Sequence, residues 1–278
     1  FSKGYSWTDR RLKTVESSVD DIKKYNMHAK GVIDILYMAN KPSLASFEDI
    51  NTKNWTKGVE EVLNTLHAIA HEKDVRIRSV GLISSAGTVY GSSNEGRSTD
   101  SPLRPRSVYG LYHCLAESTV RFWCDREGID YKIMRVTNPY GKFQLKADRK
   151  GLIVSLLETL KTGGCVELRG NGKQMRDYIY ADDLGDAIID VMHSEGSQIR
   201  NLSSGHSANG LEAVKMIIKA TGQEPIYKLS ESEFKYEVGM NIVKPYVTET
   251  IAKRGGFKCL ENGIQEVYRA MQNMREGI

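Results

Sequence analysis

No apolar run in this 278-residue chain approaches the roughly 18 residues that a helix needs to span a bilayer, and no charged-then-apolar signal segment opens it. Neither a membrane protein nor a secreted one is expected. Four cysteines are present, Cys114, Cys124, Cys165 and Cys259, and none forms a CxxC pair. That scatter argues against a zinc cluster or a disulfide framework and fits a reducing cytoplasm. Charge of one sign is also lacking: 39 Lys and Arg stand interspersed among 35 Asp and Glu. No basic tract is long enough to follow a phosphate backbone, so nucleic acid is not an expected partner. Repeats and low-complexity stretches are absent. No metal is expected, because His67 and His71 share a helical face without an HExxH glutamate or a third ligand. The first residue is Phe1 rather than methionine, as in a fragment or a trimmed chain.

What is present is an alternation of two periods in a chain that is 40% apolar, enough for one large core or two modest ones. Gly31 to Ala39, Arg76 to Ser84 and Asp130 to Asn138 are short, β-branched and aliphatic, and bounded by polar residues, as buried strands are. Between them, Asn54 to Glu72 and Tyr109 to Gly128 repeat apolar residues at helical spacing, the second through Leu111, Leu115 and Phe122 and the edge Tyr112, Ala116, Trp123. Strand, helix, strand, helix, strand predicts an α/β fold with a doubly wound parallel sheet. Beyond Asn138 come a helix near Leu152 to Lys161, a Gly-rich stretch, a helix from about Asp182 and two more helical patterns after Asn209. These predict a smaller lobe over the carboxyl edge of the sheet, where ligands bind in open α/β folds. The expected division is a Rossmann-like domain of residues 1–141 and 174–205 and a substrate lobe of residues 142–173 and 206–278.

Four strings then fall in order: SSAGTVYG at Ser84 to Gly91, YGLYH at Tyr109 to His113, MRVTNPYG at Met134 to Gly141, and GNGKQMRDYIYADDLGDAI at Gly170 to Ile188. Together they resemble the extended short-chain dehydrogenase/reductase family, and within it the nucleotide-sugar epimerases and dehydratases of the UDP-galactose 4-epimerase kind. The resemblance runs from about Gly31 to the C-terminus and implies NAD as cofactor and a UDP-sugar as substrate. It also implies the chemistry: a base takes a hydroxyl proton while hydride moves to a nicotinamide, and the planar ketone is then reduced on its other face.

By that resemblance Tyr109 is the base, and the residue one helical turn later is a lysine that acidifies it and holds the cofactor ribose. Here that residue is His113. Against reference values of about 10 for a phenol and about 6.5 for imidazole, it is mostly uncharged at neutral pH and acidifies the tyrosine less. The bland alternative is a tyrosine and a histidine decorating a helix start. Ser85 and Thr88 are the candidate hydroxyl partners of the reacting sugar oxygen, since Ala86 occupies the usual place; strand-end hydroxyls bonded to backbone are the alternative. Gly87 and Thr88 stand where dehydratases carry an Asp-Glu pair, which argues against dehydration. Ala39 and Ser84, at strand ends, are expected to bind the cofactor together with Tyr109 and His113. Asn138 and Arg176 are expected to bind the substrate's diphosphate, a guanidinium fork matching phosphate oxygens, unless Arg176 pairs with Asp182 or Asp183. Asp177, Asp182 and Asp183 read as helix-cap and structural hydrogen-bonding residues rather than metal ligands.

No Gly-rich strand–turn–helix of the GxxGxxG kind precedes Gly31, and FSKGYSW resembles the segment after the family's second strand. The first βαβ unit of roughly 30 residues is therefore expected upstream of this sequence, or the chain is a homologue that cannot hold NAD in the usual way. Gly255 to Ile264 also departs from the family's Gly-Trp-x-Pro pattern. The expected function is NAD-dependent epimerisation at C4 of a UDP-hexose or UDP-N-acetylhexosamine, in surface-polysaccharide precursor synthesis, by a homodimer. The alternatives are a nucleotide 4-keto-sugar reductase and a non-catalytic member that binds a nucleotide sugar or a partner.

Overall fold

The computed structural model describes residues 31–38, 54–71, 75–92, 95–147, 151–232 and 240–274. Its main sheet is parallel and ordered β1 (Gly31–Tyr37), β2 (Val75–Ser85), β3 (Asp130–Val136) and β7 (Gln198–Leu202). The β-branched and aliphatic run of β3 is buried from Lys132 onward because helices cover both faces of the sheet. On one face lie α1 (Asn54–Ala70) and α3 (Val108–Glu127), whose Val62, Leu66, Tyr112, Ala116, Val120 and Trp123 meet Val80, Leu82 and Ile133. On the other lies α5 (Ala181–His193), whose Val191 and Met192 meet Met134, Val136 and Leu202. A doubly wound sheet is thus present, as the alternating periods predict.

Helix α3 has its ends written in the sequence. The Ser107 hydroxyl accepts from the Gly110 N–H at 3.0 Å, and Gly128, at φ 65°, closes the helix by donating to the Cys124 carbonyl. The apolar stripe through Leu111, Leu115 and Phe122 is not the buried one: Phe122 is 67% exposed. The edge of Tyr112, Ala116 and Trp123, joined by His113, Glu117 and Val120, faces inward instead. Helical spacing marks both stripes; only the position of α1 and the sheet decides between them.

After β3 the chain builds a second core. Strand β4 (Asn138–Tyr140) pairs in parallel with β6 (Met175–Tyr180), beside β8 (Ser207–Ala208) and β10 (Met240–Asn241), and β5 (Val166–Leu168) pairs with β9 (Tyr227–Leu229). Helices α4 (Leu152–Thr162), α6 (Gly210–Thr221) and α8 (Leu260–Asn273) close over them around Leu156, Leu157, Tyr140, Tyr178, Ile217 and Ile264. A reciprocal cap starts α6, with Asn209 and Glu212 bonding each other's backbone N–H. Within residues 174–205, β6 lies in this smaller sheet, whereas β7 lies in the main one. Among the described residues no helix is long and apolar enough to cross a membrane.

Gly263 on α8 packs against the ring of buried Tyr140, and a Cβ at that position would collide with the Tyr140 hydroxyl. Gly263→Ala is therefore expected to destabilise the fold by about 1–3 kcal/mol in urea unfolding. Adding Tyr140→Phe, which removes the colliding oxygen, should recover part of that loss.

Candidate active site

Strand β2 ends at Ser84 and Ser85 and runs directly into α2 (Ala86–Val89). The N-terminus of α3 packs against this turn backbone to backbone: a Cβ on Gly110 would sit 2.7 Å from the Thr88 carbonyl oxygen. Gly110 is what permits the approach, and its neighbour Tyr109 is half-buried at the start of α3. Ser85 has extended backbone and makes no side-chain cap to α2, and the Thr88 hydroxyl is buried without a hydrogen-bond partner among the described residues.

One turn after Tyr109, His113 is only 2% exposed. Its ring meets that of Tyr109 edge-on with centroids 4.5 Å apart, and that of Tyr112 at 5.1 Å. Neither ring nitrogen has a hydrogen-bond partner among the described residues. Burial alone holds the imidazole down to a pKa of about 4. At neutral pH it is an uncharged donor and acceptor, and the positive charge expected from a lysine at this place is missing.

The Ser84 side chain is engaged in the interior: it lies 2% exposed, and its hydroxyl donates to Glu117 Oε1 at 2.5 Å. Glu117 is held by Arg135, with Nη2 to Oε2 at 2.7 Å and Nε to Oε1 at 3.0 Å, both side chains 3% exposed. The other arm of the guanidinium donates to Tyr90 Oη at 2.8 Å and to the Thr99 carbonyl at 3.2 Å. Tyr90 in turn donates to Asn201 Oδ1 at 2.6 Å. Burial works against the Arg135 charge, but Glu117 more than offsets it and keeps the guanidinium firmly protonated. Sequence reasoning missed this network. Its traces were an arginine near the end of β3, between Met134 and Val136, and a glutamate on the stripe of Tyr109 and His113, at i, i+4 and i+8.

The diphosphate candidates come from neighbouring strands of the smaller sheet. Asn138 opens β4 opposite Tyr178, and Arg176 precedes Tyr178 by two positions, hence on the same face of β6. Asn138 Nδ2 donates to the Asp177 carbonyl at 2.8 Å, and Arg176 donates to the Met175 carbonyl and to Gln174 Oε1, each at 2.9 Å. Asp182 lies 3.5 Å from Lys142, and Asp183 accepts from the Lys258 N–H at 2.6 Å. Asp177 accepts from the Thr137 hydroxyl at 2.8 Å and from the Ser204 N–H at 3.1 Å, tying the ends of β3 and β7 to β6, and burial pushes its carboxyl up from the usual range. Asp177 and Asp183 are thus structural hydrogen-bonders and Asp182 an ion-pair partner, while the expected helix cap is not formed, the N-cap of α5 being Tyr180 without a side-chain bond. His67 is exposed, and no cluster of metal-ligating side chains occurs among the described residues. Ala39 lies outside the described residues.

Breaking the buried pair by Arg135→Met leaves Glu117 uncompensated and is expected to cost about 3–5 kcal/mol in urea unfolding, whereas Arg135→Met with Glu117→Gln should recover much of it. His113 sets a pH dependence. Above pH about 6.5 its ring is neutral in both states; below that, the unfolded chain takes up a proton that the folded chain refuses until about pH 4, so stability falls with pH. Between pH 7 and 5 this amounts to about 2 kcal/mol. The fall in unfolding free energy over that range should be shallower by about that amount in His113→Gln.

The sequence model of the NAD dependent epimerase/dehydratase family matches residues 8–202. A putative UDP-glucose 4-epimerase of Methanocaldococcus jannaschii is 27% identical over 218 residues, 76% of this chain and 69% of that protein. A dTDP-4-dehydro-6-deoxyglucose reductase of Escherichia coli is 34% identical over 125 residues, 45% of this chain and 40% of the reductase. The solved UDP-glucose 4-epimerase of Thermotoga maritima, with UDP-glucose, superposes with a TM-score of 0.73 at 22% identity, covering 87% of this chain and 78% of that one. The UDP-glucuronic acid 4-epimerase of Bacillus cereus, with UDP-glucuronic acid and NAD, does so with a TM-score of 0.75 at 18% identity, covering 93% and 79%. The two structures share the Rossmann-like fold described above. With its family match extending from before β1 to the end of β7, the chain belongs to the NAD-dependent epimerase/dehydratase family of extended short-chain dehydrogenases/reductases, enzymes of nucleotide sugars whose cofactor is NAD.

Proposed function

We propose that this chain carries an NAD-dependent epimerase acting at C4 of a UDP-hexose or UDP-N-acetylhexosamine, in the cytoplasmic synthesis of surface-polysaccharide precursors. The observation that supports the reading is the close contact of α3 with the turn after β2, Gly110 against the Thr88 carbonyl, one residue from Tyr109. The buried imidazole of His113, able to accept from one hydroxyl and donate to another, fits a nicotinamide ribose, and the Thr88 hydroxyl is unpartnered among the described residues. NAD, when bound, supplies the hydride acceptor. Tyr109, as phenolate, takes the proton of the sugar hydroxyl at its Oη and returns it when the ketone is reduced. Ser85 or Thr88 orients that same oxygen. Asn138 and Arg176 hold the diphosphate, residues 1–141 and 174–205 carry the cofactor, and residues 142–173 and 206–278 close over the sugar.

Uncharged His113 does not stabilise the Tyr109 phenolate as a cation would. A second reading, reduction of a nucleotide 4-keto sugar, is favoured by the 34% identity to the Escherichia coli reductase. It uses the same tyrosine, as acid rather than base.

The test is incubation with NAD and UDP-glucose or UDP-N-acetylglucosamine, with NMR detection of the epimer. Tyr109→Phe is expected to lower kcat by about 10²–10⁴-fold at an unchanged melting temperature. His113→Lys should move the rise of the pH–rate profile to lower pH. Bound NAD with no epimer in either wild type or His113→Lys sinks the epimerase reading, and oxidation of NADH by a dTDP-4-keto-6-deoxy sugar would then establish the reductase.

A further inference from the structure

Away from Tyr109, the chain builds a cavity of about 170 Å³ at the outer edge of β7, where the loop after α2 meets the segment before α7 (Glu249–Lys253). Its walls are tied by backbone. The Arg97 N–H donates to the Ile242 carbonyl at 3.0 Å, the Lys244 N–H to the Arg97 carbonyl at 2.8 Å, and the Tyr246 N–H to the Asn201 carbonyl at 3.0 Å. Asn201 spends its amide on Tyr90 and on the Arg97 carbonyl, and Arg135 holds the Thr99 carbonyl, so the cavity shares a wall with the buried network under the active site.

The lining chemistry is one-sided. Arg200 and Lys244 contribute two cations, Ser98, Thr99 and Tyr246 contribute hydroxyl groups, and among the described residues the lining contains no carboxylate. The Arg200 guanidinium lies over the Tyr246 ring, 4.5 Å from its centroid, which fixes its plane. One of its terminal nitrogens donates to the Ile199 carbonyl, but Nε is buried with no partner among the described residues. A buried, oriented guanidinium N–H without an acceptor is a group that most folded proteins satisfy.

We infer that this cavity is a subsite for one small oxyanion, a carboxylate or phosphoryl group received by Arg200 and Lys244. Its volume is too small for a nucleotide, whose pockets run to roughly 300–1,000 Å³, and ample for a single anionic group with a few waters at about 30 Å³ each. Planar bidentate capture by arginine suits either oxyanion, and the shared wall links occupancy of the cavity to the frame beneath Tyr109.

The experiment is isothermal titration of the full chain at constant ionic strength with inorganic phosphate, with D-glucuronate and, as a neutral control, with D-glucose. Wild type, Arg200→Gln and Lys244→Gln are compared, each checked by its melting curve. Saturable binding of at least one anion, absent for glucose and weakened at least about tenfold by Arg200→Gln, is expected. If Arg200→Gln fails to fold, Lys244→Gln, on an exposed side chain, should weaken binding in the same direction. Titrating UDP-glucuronic acid against UDP-glucose then separates the sources. A wild-type preference for the acidic sugar that Arg200→Gln abolishes means the anion rides on the substrate, whereas loss of phosphate binding alone means a free anion. The proposal is overturned if neither anion binds saturably, if glucose binds equally well, or if both variants bind the anions as wild type does. Because anion binding is read without NAD or turnover, failure of the epimerase reading leaves this result intact.

Discussion

The ion pair of Arg135 and Glu117 is the constraint on which the active-site geometry depends. Removing two charges from water is costly, and a buried pair is tolerable only when its remaining hydrogen-bonding positions are filled. Here they are filled from every element that meets at the site: Ser84 from the end of β2, Tyr90 from just beyond α2, the Thr99 carbonyl from the following loop, and Asn201 from β7 behind Tyr90. Glu117 lies two helical turns from Tyr109 on the same stripe of α3. Anchoring Glu117 therefore fixes both the rotation and the axial height of the helix that presents the phenol.

Apolar packing could not do this alone. The contacts of Tyr112, Ala116 and Val120 with α1 and the sheet press α3 into place, but hydrophobic attraction is non-directional and would tolerate a small roll of the helix. A guanidinium fork bonded to both carboxylate oxygens does not tolerate it. Asp177 plays the corresponding part where the two cores meet. One of its oxygens binds Thr137 and Ser204, beyond β3 and β7, and its backbone carbonyl holds Asn138. Two buried carboxylates thus register the strand ends from which the candidate residues project.

The pieces of this arrangement were unequally visible in the sequence. Strands β1 to β3 and helices α1, α3 and α4 were legible because burial on two faces, or on one stripe, leaves a periodic trace. The inward side of α3 was legible only in part, since Phe122 and Trp123 carry equal weight in a pattern and the packing partner decides between them. Ser84 and Ser85 looked alike, yet alternation along β2 sends one toward Glu117 inside and the other to the opposite face. The network itself was illegible. Arg135 and Asn201 are 66 positions apart, and only the pairing of β3 with β7 makes them neighbours of Tyr90.

His113 shows the same limit at a single residue. Its identity is read directly; its charge state is not, because that follows from burial between two tyrosine rings. A lysine at this place could lay its methylene stem along those rings and carry its charge outward to a polar ligand. Imidazole carries no such charge, and the nearest carboxylate on its stripe, Glu117, is already engaged by Arg135 and Ser84. Nothing on that stripe of α3 therefore stabilises an imidazolium, and the ring one turn from Tyr109 stays neutral. The same pair that sets the height of Tyr109 thus also leaves that imidazole without a carboxylate on its stripe.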